Sequence, residues 1–287
     1  MAFVTSETIS TLAVDLLSAE LSLTRTVSQV PTSDLAPPSG GTTVLRVPVP
    51  RTARIQGRGD PLVFDDIEEN EVEFVVDHVY DATRITVHEL NLDIVDFGRQ
   101  VTRSQVRSVV GGAELQLAEV MNTLPVDRLV ALDGSDLDNE VANAVADLDE
   151  AENPMDERWL AVSPQFAARL TSPNGASLTD YQGEVATEAL RQGILGEYRG
   201  LTVVKNPRLT GFKALAYHTS AFAFASLTPV EIPGTIDSAV ISEEGIGVRH
   251  VFQAGVNLET ESVLSVFVGA ELVDADRVVV LGQDDES

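Results

Sequence analysis

With 45 acidic against 19 basic residues in 287, this chain carries a formal charge of −26; 44% of it is hydrophobic and it has no cysteine. A field of that sign repels phosphate, which argues against sequence-specific nucleic-acid binding, and the missing thiols exclude disulfides, thiolate nucleophiles and Cys-ligated metal centres. At this length two lobes, or one core with long appendages, are expected; size scaling gives a compact monomer of this mass roughly 12,000 Å² of accessible surface, so a much larger value would mean arms that need partners.

The N-terminal stretch holds Glu7, Asp15 and Glu20 without a basic start or an uninterrupted apolar run, so no secretory leader is read. No apolar stretch is long enough to cross a bilayer, and the product is expected to be soluble where it is made, with no membrane partner.

In chain order, positions 6–21 place Ile9, Leu12, Ala13, Leu16, Leu17 and Leu21 at helical spacing behind Ser6 as an N-cap, which predicts a short amphipathic arm. Pro31, Pro37, Pro38, Gly40 and Gly41 then favour an extended connector. Over 44–55, Leu45, Val47 and Val49 alternate with Arg46, Pro48 and Pro50; prolines cannot donate to a ladder, so this is an edge strand. Residues 56–61 form a mobile loop tip, and 71–87 returns as a β-rich segment with Val72 and Phe74 opposite Glu71 and Glu73. Together they predict a long two-stranded projection.

From 93 to 124 the pattern is helical, with Val101, Val109, Leu117, Val120, Met121 and Leu124 as the apolar stripe and Gly111-Gly112 as an expected kink or junction. A second helix is expected over 136–148, burying Val141, Ala142, Val145 and Leu148 and capped from Asp133-Gly134-Ser135-Asp136. Positions 158–162 read as a buried strand. Ser163-Pro164 is a helix start ending near Leu170, because serine caps and proline occupies the first turn at no hydrogen-bond cost. A polar loop over 171–183, a helix ending at Gln192-Gly193, and strands near 201–204, 214–217, 247–252, 262–268 and 278–281 complete a mixed α+β chain.

Little in this pattern carries chemistry. His78, His88, His218 and His250 lack metal-ligand spacing and are read as structural or surface residues, and Ser163 is a cap with no nucleophile elbow around it. Leu137 falls where a calcium loop starting at Asp133 needs an oxygen ligand. Arg58-Gly59-Asp60 matches an adhesion tripeptide, yet the glycines already explain it as a loop tip. Acidic pairs are too abundant to single out a hydrolase, and no phosphate-binding loop or dinucleotide fingerprint is present. No enzyme activity, cofactor or metal is expected.

The stretch Arg158-Trp159-Leu160-Ala161-Val162-Ser163-Pro164, followed by Gly193-Ile194-Leu195-Gly196-Glu197-Tyr198-Arg199-Gly200-Leu201-Thr202-Val203-Val204, resembles the strand, helix and glycine-punctuated turn of the axial domain in tailed-phage major capsid proteins, the HK-ninety-seven-like fold. Gly211 with 214–218 and Ala221-Phe222-Ala223 resembles that family's next strand and a short alanine-rich helix. Gly269-Ala270 and 273–281 resemble its last peripheral-domain strands.

The resemblance implies an N-terminal arm over 1–42, an extended loop and the start of a peripheral domain over 43–88, a spine helix over 89–125, an axial domain over 126–245 and a return to the peripheral domain over 246–287. It implies self-assembly into hexamers and pentamers of an icosahedral virion shell, built in the host cytoplasm and enclosing double-stranded DNA without specific binding. A portal, possible decoration or cement protein and, since the chain begins almost at the arm, a separate scaffolding protein would be partners. Some members crosslink through a lysine in the extended loop; here the only lysines are Lys205 and Lys213, outside it.

Arg99, Arg103 and Arg107 fall at i, i+4 and i+8 on one face of the expected spine helix. They are candidates to meet Asp65, Asp66, Glu68, Glu69, Glu71 and Glu73 of a neighbour's loop, and Arg51, Arg54 and Arg58 near the loop tip are further candidate inter-subunit contacts. Rival readings are an encapsulin-like bacterial compartment shell, a secreted acidic binding module or adhesin, and an acid-type hydrolase.

Overall fold

The computed structural model describes residues 6–7, 9–11, 13, 22–30, 42–48, 66, 69–86, 101–171, 194–227, 229–230, 235–243, 246–254 and 259–283. Its strands are β1 (Ser28–Val30), β2 (Thr42–Pro48), β3 (Glu69–Val75), β4 (Asp77–Ile85), β5 (Arg128–Leu129), β6 (Arg158–Val162), β7 (Ile194–Tyr198), β8 (Leu201–Lys205), β9 (Lys213–His218), β10 (Phe222–Leu227), β11 (Asp237–Glu243), β12 (Ile246–Ala254), β13 (Thr260–Leu272) and β14 (Val278–Gly282). The helices are α1 (Arg103–Thr123), α2 (Leu137–Glu150) and α3 (Pro164–Leu170). Residues 6, 7, 9–11 and 13 are also helical, in agreement with the expected arm.

Two sheets organise the chain. The first runs β1-β10-β13-β12-β11, with β4 along the opposite side of β13: Val268 pairs with Ser226 of β10 on one side and Asp77 of β4 on the other. The second runs β5-β14-β9-β6-β8-β7, and β2 pairs with β3 as a separate antiparallel ribbon.

Burial explains why the strands of the second sheet are apolar at successive positions. Leu160, Val162, Ala214, Ala216 and Leu281 face a core closed by Leu137, Val141, Ala144 and Leu148 of α2 and Phe166, Ala167 and Leu170 of α3. The intervening Ala161, Leu215, Tyr217 and Val280 enter a different core. A strand covered on both faces has no position for a polar alternation. That second core is shared with α1, whose Val106, Val109, Val110, Ala113, Leu117, Ala118 and Met121 pack with Val248, Leu264, Val266 and Val268 of the first sheet.

Several expectations are corrected. Gly111-Gly112 is not a junction between elements: α1 is continuous through both positions. The glycines serve close approach: a Cβ on Gly112 would lie 2.5 Å from Val79 Cγ1 of β4, and one on Gly111 would lie 2.9 Å from Arg208 Nη2. The segment from Ala221 is not an alanine-rich helix but, after one tight turn, the buried strand β10, held between β1 and β13. At the start of α2 no side chain caps the helix; Asp136 instead accepts from the Ala131 N–H at 2.9 Å and Asp133 from the Ser135 N–H at 3.1 Å, so these carboxylates shape the preceding turn. The expected boundary at 245/246 is not where the sheets divide. β10 and β11 belong with β12 and β13, while β14 pairs with β9 and β5 of the second sheet, because its run of buried valines and leucine needs cover on both faces.

Other readings stand. β6 occupies 158–162, and α3 starts at Pro164 with Ser163 Oγ accepting from the Phe166 N–H at 3.3 Å. The expected helix before Gln192-Gly193, the loop tip over 56–61 and the first turns of the long helix over 93–100 lie outside the described residues.

Gly112→Leu is expected to push α1 off β4 and lower subunit stability by about 1–3 kcal/mol, the usual range for overpacking. Chemical denaturation of the subunit checks this; an unchanged midpoint would show that helix and sheet do not depend on their close approach at Gly112.

Candidate assembly surfaces

The β2–β3 ribbon has two unlike faces. Phe74 is buried and joins Val30, Ala223 and Ala225, with Leu45 and Val72 packed against them. Strand alternation sends Glu69, Glu71 and Glu73 to the other face, where all three are exposed. Arg46 sits opposite Glu71 in register and pairs with it at 3.3 Å. Both groups are more than half exposed, so the pair contributes at most about 1 kcal/mol. A two-stranded ribbon is marginal in water, and this one is held at its foot, where Gly269 would meet the Val75 carbonyl oxygen at 2.5 Å if it carried a Cβ.

Arg103 and Arg107 lie one turn apart on the exposed side of α1, as their spacing predicts. Asp66 and Glu69 are exposed as well. Arg51, Arg54, Arg58, Asp65, Glu68 and Arg99 lie outside the described residues. Among the described residues Arg103 forms no ion pair with the ribbon carboxylates of its own chain. Lys213 is spent on its own fold: its Nζ donates to the carbonyls of Asn122 and Leu124, each at 2.8 Å, at the end of α1.

Two polar anchors, not anticipated from the sequence, fix the N-terminal segment to this frame. Glu114 is buried on the inner face of α1 and accepts from the N–H groups of Ser22 and Leu23, the latter at 2.8 Å, from Ser22 Oγ at 2.9 Å, from Asn206 Nδ2 at 3.2 Å and from Arg208 Nη1 at 2.8 Å. One carboxylate therefore joins the N-terminal segment, α1 and the β8–β9 loop. The signal was available: Glu114 falls on the stripe of Val110 and Leu117, where a carboxylate requires partners. The second anchor is His250, fully buried, with Nδ1 3.2 Å from Ser6 Oγ and Nε2 2.9 Å from Ser262 Oγ. The Ser6 N–H donates to Asp237 at 2.6 Å and Ser10 Oγ to the Ala239 carbonyl, so helical residues of the arm are tied to β11 and β12. Burial lowers the His250 pKa to about 4, with Asp237 acting weakly in the opposite direction.

No family model matches this chain, and no curated protein matches it in sequence. Solved structures match over most of its length. The capsid of Ralstonia phage GP4 matches with a TM-score of 0.58 at 13% identity, covering 93% of each chain. The capsid of Cyanophage P-SCSP1u gives 0.58 at 13%, covering 91% of this chain and 87% of that one. The SrpI encapsulin complex of Synechococcus elongatus gives 0.54 at 15%, covering 92% and 88%. The fold is that of tailed-phage capsid proteins, an α+β architecture also seen in the encapsulin shell, as the resemblance implied.

Glu114→Ala removes the buried partner of Arg208 and the acceptor for Ser22 and Leu23; subunit stability is expected to fall by about 3–5 kcal/mol, read by urea unfolding. His250 is neutral when folded and takes a proton more easily when unfolded, so its contribution is complete above pH 6.5 and is lost as pH falls from 6.5 to about 4. The loss is on the order of 3 kcal/mol. His250→Gln should flatten that part of the stability–pH curve; an unchanged curve would remove His250 from the account.

Proposed function

We propose that this chain is the major capsid protein of a tailed double-stranded DNA bacteriophage, assembling into hexamers and pentamers of an icosahedral shell. One observation carries the reading: the chain shares its fold with phage capsids over 91% and 93% of its length. A shell subunit of that kind laps several neighbours and stabilises the shell through many modest contacts.

In this reading residues 1–42 form the arm, 43–88 the extended loop and 89–125 the spine helix; 126–221 with the final strand β14 form the axial domain, and β10 and β11 join β12 and β13 in the peripheral domain. The acidic face of the β2–β3 ribbon meets the Arg103 and Arg107 side of a neighbour's α1. Exposed pairs contribute little singly, but repeated around a capsomer they set register and suppress wrong pairings. The charge of −26 per subunit suits a wall along which duplex DNA slides without sticking. A scaffolding protein, a portal and a decoration protein would be its partners, the host cytoplasm its place of assembly, and no reaction is assigned to it.

The SrpI match supports a second reading, a compartment shell that encloses cargo enzymes. Neighbouring genes for terminase and portal, as against a cargo enzyme, separate the two. The adhesin reading draws on Arg58-Gly59-Asp60, outside the described residues, and gains nothing from the fold.

Expressed alone or with a scaffold, the wild-type chain is expected to form capsomers or closed particles visible by negative-stain microscopy. Arg103→Glu should reduce closed particles severalfold while circular dichroism of the subunit stays unchanged. A wild-type chain that remains a compact monomer at high concentration overturns the shell reading, and normal particles from Arg103→Glu overturn the ribbon-to-helix contact.

A further inference from the structure

The first sheet has two faces. One, carrying Val79, Val248, Leu264 and Val266, is covered by α1. On the other, the register sets Tyr80, Ser265, Arg249 and Val240 in one cross-strand row. His78 and Phe267 form a pair beside that row, and Ser238 lies two residues from Val240 on the same side of β11.

Arg249 is at the centre of this face and is 9% exposed. Its Nη1 donates to the Val230 carbonyl at 3.0 Å, its guanidinium carbon lies 5.9 Å from the Phe267 ring centre, and the Phe267 ring stacks on His78 at 4.5 Å. Its Nε–H has no hydrogen-bond partner. The hydroxyls of Ser265, directly opposite it, and of Ser238 are likewise buried and unpartnered. Among the described residues no carboxylate pairs with Arg249, in a chain that has 45 of them. Burial lowers the pKa of Arg249, and His78 is lowered first by burial and then by the Arg249 charge.

A buried guanidinium normally has a counter-charge, because taking an unpaired cation out of water costs several kcal/mol. Here the missing acceptor lies in the same cross-strand row as a second unsatisfied group, the Ser265 hydroxyl. Around it are exposed apolar side chains: Tyr80 at 59% in the same row, Val230 at 80% on the residue that holds Arg249, and Ile236 at 65% at the start of β11. A charged centre ringed by apolar side chains is the anatomy of an interface hot spot.

We infer that Arg249 is the receiving half of an inter-subunit site whose other half is an Asp or Glu carboxylate of a second copy of this chain. The inference rests on the shell-forming reading. Charge complementarity selects the occupant: with 45 acidic against 19 basic residues, most of the charged groups a second copy presents are carboxylates, and a guanidinium binds a carboxylate through parallel N–H donors. Tyr80 and Val230 mark the approach and exclude water once the copies meet.

The test compares wild type with Arg249→Met and Arg249→Gln. As a subunit, Arg249→Met should unfold at the same or a higher denaturant concentration, since a lone buried cation has been removed. Its subunit–subunit affinity, read from the dissociation of assembled particles in denaturant, should be at least about tenfold weaker. A high-resolution map of wild-type particles should show a neighbour's carboxylate at about 2.7–2.9 Å from the guanidinium. Wild-type particles in which Arg249 meets only its own chain, water or a free anion overturn the inference, as do Arg249→Met particles of undiminished stability, and either result leaves the shell reading standing. If the wild type forms no particle, the shell reading fails first; sedimentation of the same variants then decides, and self-association that does not depend on Arg249 overturns the site.

Discussion

The fold depends on how closely α1 can lie on the first sheet. Its inner side chains share one core with Val248, Leu264, Val266 and Val268 of that sheet and with Leu215, Tyr217 and Val280 on the back of the second, so the helix is the element through which the two sheets pack. A single added methyl at Gly112 would meet Val79 at 2.5 Å. Close-packed interiors do not absorb such an intrusion locally, and the displacement would pass to both sheets.

Polar groups then settle what the apolar core leaves free. Hydrophobic burial is non-directional and would let the N-terminal segment slide over α1. Glu114, receiving donors from Ser22, Leu23, Asn206 and Arg208, permits one arrangement, and His250 with Ser6 and Ser262 does the same on the far part of the sheet. Each anchor lies between segments that are distant in sequence, which makes the arm a part of the folded unit. The cost is an exposure to pH at His250, whose neutral form alone suits a site closed to water.

Outside this core the molecule is divided by charge. The ribbon turns Phe74 inward and Glu69, Glu71 and Glu73 outward, while α1 turns Arg103 and Arg107 outward. Opposite signs on two elements of one chain suit contact between copies, since within the chain Glu71 already has Arg46. Arg249 extends the same logic to a desolvated position, where a charge pair discriminates more strongly than on an open surface.

The sequence by itself determined the local elements: the proline-edged strand at 42–48, the Ser163-Pro164 helix start, the buried strand at 158–162 and the arginine spacing on α1 all follow from backbone stereochemistry and periodicity, which act over a few residues. The partners of Glu114 and His250, the use of Gly112 as a contact surface and the return of β14 to the second sheet were decided only by tertiary structure. Each depends on residues brought together from distant parts of the chain, as far apart as Ser6 and His250, and no local rule reports which strand will lie beside which. The glycine pair shows the difference most plainly, because the same two residues that locally permit a bend are, once β4 is in place, what lets the helix lie against it.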